Sequence, residues 1–220
     1  MRFEVLVEDR SGRAMLEILI PKIIGNQHKV RIRSYKGIGR IPKNLASGIE
    51  ARNRLLLNNL PGELRAYGKT FPADPANSPV AVIVVCDLDD KCLKAFRQEL
   101  FAVLNACDPK PETRFCIAIE EGEAWLLGDV PAVKAAYPNA RDNVLSSYEN
   151  DSICGMWELL ADAVFSGGAN ELKKEGWQVV GREKSVWAEK ITPHMNVDDN
   201  ASPSFRYFRE KVRNLAQATP

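Results

Sequence analysis

Three groups of carboxylates stand directly after apolar runs. Glu8 follows FEVLV, Asp87, Asp89 and Asp90 follow VAVIVVC, and Glu120, Glu121 and Glu123 follow FCIAI. Carboxylates gathered in one place repel one another and resist ionisation unless a cation is present. A hard divalent ion such as Mg²⁺, held by one or two carboxylates with water or phosphate, resolves that conflict. Such a site activates water and neutralises charge in phosphodiester cleavage. The competing use of the same residues is local, because Asp favours turns and helix N-caps. Asp90 reads as a cap or a solvated loop acid. Asp87 and Asp89, straight after a fully apolar run, read as ligands, and Glu8 suits either use. Of Glu120, Glu121 and Glu123, one functional acid is expected beside capping or solvated ones.

These acids need a sheet to bring them together. VAVIVVC (Val80–Cys86) has no polar face, the mark of a central strand covered on both sides. Phe3–Glu8 and Phe115–Ile119 read as further strands, and the alternation of Lys29–Ser34 as a half-exposed one. Helical spacing runs over Gly12–Ile24, where Pro21 predicts a bend or an early end. A second helix is expected from about Ile49 to Tyr67, interrupted near Pro61-Gly62, and a third from about Cys92 to Asn105. A short one covers Ala124–Leu127, and 69–79 reads as a loop. Strands alternating with helices predict an α/β fold with a mostly parallel sheet and helices on both faces. In such sheets ligands sit at the carboxyl ends of the strands, so parallel neighbours would converge all three acid groups on one rim. Residues 1–150 are expected to form this domain. Residues 151–220 are expected as a mainly helical extension packed on it, with helices around Met156–Phe165 and Phe205–Leu215 and an irregular polar stretch between.

The remaining composition narrows the chemistry. Two histidines, His28 and His194, leave few ways to build a His-rich metal site or a Ser/His/Asp triad, and no partner for His194 is identifiable. Cys86, Cys92, Cys107, Cys116 and Cys154 are odd in number and contain no CxxC pair, which argues against a zinc site or a disulfide framework and for a reducing, cytoplasmic setting. No apolar run approaches the roughly 20 residues that cross a bilayer, so no membrane partner is expected. A net charge of +1 announces no global attraction to nucleic acid, so such binding would rest on local patches. Lys36, Arg40 and Lys43, around a Gly-Ile-Gly loop, form one such patch, which Arg31 and Arg33 could extend. Lys184 could supply the cation that stabilises a phosphoryl transition state. Trp125, Trp157, Trp177 and Trp187 read as core or interface residues.

A glutamate closing the first strand and a DxD after a later buried strand resemble the Toprim domain of topoisomerases, primases, recombination proteins and overcoming-lysogenization-defect nucleases. More closely, VEDRSGRAMLEILIPKI, KGIGRIPKNL, VVCDLDDK, IAIEEGEAWLLGD and WAEKITPHMNVDDNASPSFRYFR resemble a bacterial family of unknown function with a Toprim-like, Rossmannoid fold. The resemblance covers nearly the whole chain. It implies that Glu8 handles a proton or binds metal, that Asp87 and Asp89 bind Mg²⁺ or Mn²⁺, and that Glu120 or Glu123 completes a second metal position. Toprim nucleases carry Gly after the first Glu and an acid four residues on, where this chain has Asp9 and Gly12. Asp9 is a candidate replacement.

Two activities follow as expectations: a metal-dependent nuclease or phosphotransfer protein acting on nucleic acid, or a non-catalytic Toprim-like module beside a partner ATPase, in phage defence or a mobile element. A glycosyltransferase would use the DxD but leaves Glu8 without a role. A haloacid dehalogenase-type phosphatase needs an Asp pair after the first strand, which is lacking.

Overall fold

A computed structural model describes the chain apart from residues 47, 50–53, 72–78, 153–154 and 219–220. The four apolar or alternating segments form β1 (Arg2–Val7), β2 (Lys29–Ser34), β3 (Val80–Asp87) and β4 (Thr113–Ala118). They make one sheet in the order β2-β1-β3-β4, and every pair is parallel. The expected "mostly parallel" sheet is therefore wholly so. Register places Val7 beside Val85, and Asp87 beside Ala118. The ends of β1, β3 and β4 thus share one edge.

Successive strand residues face opposite ways, and each face is covered. Phe3, Val5, Val7, Ala81, Ile83 and Val85 meet α1 (Arg10–Ile24), while Leu6, Val82, Val84 and Cys86 meet α2 (Leu56–Thr70) and α3 (Leu93–Asn105). The short helices α4 (Glu123–Leu127), α5 (Val130–Ala136) and α6 (Asp142–Leu145) follow β4. The last third holds α7 (Met156–Val164), α8 (Gly168–Lys174), α9 (Trp177–Ile191) and α10 (Pro203–Gln217). Trp125 of α4 stacks on Phe208 of α10, with ring centroids 4.9 Å apart, and donates from Nε1 to Ser204 Oγ. One apolar core therefore runs from β1 and α1 through to α10. Ser202 caps α10 by accepting from the Phe205 N–H.

Neither proline ends its helix. Pro21 removes one intrahelical bond, yet α1 continues to Ile24, because Leu19, Ile20, Ile23 and Ile24 are all buried and hold the last turn in place. Likewise α2 runs unbroken through Pro61, between buried Leu60 and Leu64. It starts at Leu56 rather than near Ile49, and residues 50–53 of the expected helix lie outside those described. Pro72 and Pro75 of the expected loop do too. The stretch read as irregular is α8 and α9. Cys86, Cys92, Cys107 and Cys116 are free thiols, and Cys154 lies outside the described residues.

Gly68 marks where α2 meets the turn before β4, because a methyl group there would strike the Pro109 carbonyl. Alanine normally stabilises a helix interior by about 1 kcal/mol over glycine. Here Gly68→Ala is expected to lose about 2 kcal/mol instead, read as a lower urea midpoint. A gain would show that the two backbones are not this close.

Candidate active site

Glu8 and Asp87 meet at the carboxyl edge of the sheet. Glu8 follows the last residue of β1, and its Oε2 accepts a 3.3 Å hydrogen bond from the Asp87 backbone N–H. Glu123 reaches the same place from the first turn of α4, and Lys184 from the middle of α9. These four side chains and Asp9 line one small cavity of about 20 Å³, room for a single water-sized occupant.

Lys184 is the cation that faces these acids. Its Nζ lies 3.3 Å from Glu121 Oε1 and 3.1 Å from Glu123 Oε2, with its side chain only 16% exposed. The contact to Glu123 is an ion pair but is poorly aligned, so Glu123 Oε2 is buried without a hydrogen-bond partner. The second oxygen of Glu121 accepts from the Trp157 N–H at 3.3 Å, which ties α7 to the rim.

One ammonium does not balance four acids. Burial first, then Asp89 and Asp9, push Glu8 up from 4.5 to about 7 against the lowering effect of the Asp87 N–H. Burial, helped by Glu8 and Glu123, holds Asp87 far above the usual carboxylate range despite Lys184. Burial raises Glu121 to about 7 and raises Glu123 as well, in both cases against Lys184. Burial alone would lower Lys184, but Glu123, Glu121 and Asp87 outweigh it and keep the ammonium charged.

The acids predicted as one set divide into two. Glu8, Asp87 and Glu123 share the cavity. Asp89 and Glu120 instead line a neighbouring groove with Asp90, Trp157 and Glu158. Asp89 and Glu120 adopt left-handed backbone, with φ of 51° and 59°, in paired turns joined by the Asp89 N–H to Glu120 carbonyl bond. Asp89 has its own cation, Lys91, at 2.7 Å, and Glu120 accepts from the Gly155 N–H at 2.7 Å. Asp90 is exposed and caps nothing, since α3 has Cys92 at its N-cap.

Asp9 lines the cavity beside Glu8 and is also engaged locally. It caps α1, accepting from the Gly12 N–H at 2.8 Å and the Ser11 hydroxyl at 2.7 Å. A Cβ on Gly12 would lie 2.7 Å from Val7 Cγ2. This packing accounts for glycine where the resemblance leads one to expect an acid.

The basic loop hangs from the site. Gly37, with φ of 119°, donates its N–H to the Glu8 carbonyl at 3.0 Å, which sets exposed Lys36, Arg40 and Lys43 beyond the end of β1. Arg33 is not part of that patch, because it pairs with buried Glu63. Trp125, Trp157 and Trp187 are core residues, but Trp177 is 75% exposed and rests edge-on against Trp157. His194 is exposed.

Among the described residues no three carboxylate, thiol or imidazole groups form a ready-made metal cage. Mg²⁺ seldom needs one, since it keeps several waters and binds through one or two carboxylates. Glu8 and Asp87 supply two hard oxygen donors beside a space for one small occupant, and they fit that coordination. No protein-family model, curated protein or solved structure matches the chain. No described helix is long and apolar enough to cross a membrane.

Proposed function

We propose that the chain is a divalent-metal-dependent phosphotransfer protein of the nuclease class, acting on nucleic acid. The reading rests on one observation above all: Glu8, Asp87 and Glu123 share a buried cavity with Lys184 at the carboxyl ends of three parallel strands. The Toprim-like resemblance supports the same reading. A bound Mg²⁺ or Mn²⁺ would lower the pKa of a water and neutralise phosphodiester charge. Glu8 and Asp87 would hold the ion, Lys184 would keep a fixed positive charge beside it, and Glu121 and Glu123 would orient Lys184. Lys36, Arg40 and Lys43 would meet phosphates of a longer substrate. A second metal at Asp89 and Glu120 has less support, because each of those acids already has a partner.

One observation favours a second reading. A 20 Å³ cavity admits an ion or a water but no phosphodiester, which suits a non-catalytic module working beside a partner ATPase. Purified protein incubated with plasmid, single-stranded DNA and structured RNA in Mg²⁺, Mn²⁺ or EDTA separates the two, with Asp87→Ala as control for contaminating nuclease. Cleavage that needs metal and disappears in Asp87→Ala is expected. Wild-type protein without metal-dependent cleavage would replace the first reading with the second.

A further inference from the structure

A second cavity, of about 340 Å³, opens at the outer edge of β4 between α3 and α10. It shares no lining residue with the cavity at Glu8 and Asp87. Its volume lies in the range of small-molecule sites, which combine apolar walls with a few convergent polar groups. Phe115 and Ile117 of β4, with Ile119 just beyond its end, form one wall, and Leu93 of α3, 36% exposed, forms the lip. One turn further along α3, Arg97 holds its guanidinium 5.6 Å from the Tyr207 ring centroid of α10. This contact positions Arg97, but among the described residues no carboxylate lies within ion-pair distance of it. The one acid in the lining, Asp151, is already engaged by the Ser202 hydroxyl at 2.7 Å and the Ser204 N–H at 2.6 Å. The cavity therefore presents an apolar body and one unpaired planar cation, which suits a carboxylate or phosphate in bidentate contact.

We infer that this cavity binds a small molecule with a flat apolar body and a single anionic group, the body against Ile117 and Ile119 and the anion on Arg97. The probe is 8-anilinonaphthalene-1-sulfonate, titrated by fluorescence into the intact protein beside the neutral N-phenyl-1-naphthylamine. One equivalent of the sulfonate is expected to bind. Arg97→Glu should weaken it at least tenfold while leaving the neutral probe in place, and Leu93→Trp, which fills the lip, should exclude both. Both positions are exposed, so unchanged melting curves verify the fold. Displacement of the sulfonate by phenyl phosphate rather than phenylacetate would identify the anion as a phosphate, and the reverse as a carboxylate. No saturable binding, binding indifferent to Leu93→Trp, or sulfonate binding indifferent to Arg97→Glu would overturn the inference.

Discussion

Lys184→Met is expected to destabilise the protein by about 3–5 kcal/mol at pH 8, the usual cost of removing one partner from a buried ion pair. Methionine keeps much of the aliphatic stem, so the loss isolates the charge. Glu121 and Glu123, paired with Lys184 at 3.3 and 3.1 Å, would face each other with no cation. The cost should depend on pH. Glu121 in the folded protein binds its proton up to about pH 7, against 4.5 as its ordinary value, and loss of Lys184 raises it further. At pH 5 Glu121 is largely protonated and the variant should lose less than half as much. Urea denaturation at the two pH values gives the comparison. Equal losses would mean that Lys184 serves packing alone. Adding Glu123→Gln to Lys184→Met should recover part of the loss at pH 8, because it removes one of the stranded charges.

How much of this site was legible varies by residue. Glu8 and Asp87 could be found because an apolar strand ending in an acid is a pattern of the sequence, and a parallel sheet forces such ends onto one edge. The separation of Asp89 and Glu120 from them could not. It depends on two left-handed residues whose turns carry those side chains into the next groove, and nothing in their side chains announces that conformation. Lys184 stands out in the sequence as a candidate cation, but its place on a helix does not. Val180, Trp187, Ala188 and Ile191 are buried on one face of α9, and Lys184 falls in the same stripe at helical spacing. The glycines at 176 and 181 and the run Arg182-Glu183-Lys184 masked that period. A lysine within an apolar stripe is itself a signal, since burial demands an acidic partner. The continuity of α1 and α2 through proline was beyond local reasoning, because it is settled by buried neighbours on both sides of each proline.

Glu8→Gln is expected to stabilise the metal-free protein at pH 8 while removing its response to divalent ions. A folded carboxyl raised from 4.5 to about 7 binds its proton more tightly than in the unfolded chain. Its contribution is therefore fully present below about pH 4.5 and is lost as pH rises towards 7. Above that range the folded protein carries a buried, ionised Glu8 near Asp89 and Asp9, at a cost of up to about 3 kcal/mol. Glutamine has the same shape, still accepts the Asp87 N–H and carries no charge, so the variant should be more stable at pH 8 and little changed at pH 4.5. Mg²⁺ or Mn²⁺ acts on the same surplus from the other side. An ion that binds only the folded state stabilises it according to its concentration over Kd, so wild-type protein should melt higher with metal than with EDTA at pH 8. Glu8→Gln should show little of that difference, and metal-dependent cleavage should fall by about 10²-fold or more. Thermal melts with Mg²⁺, Mn²⁺ and EDTA at both pH values measure all of this except cleavage. A variant less stable than wild type at pH 8 without metal would contradict the charge surplus. Equal metal stabilisation in both proteins would place the ion elsewhere.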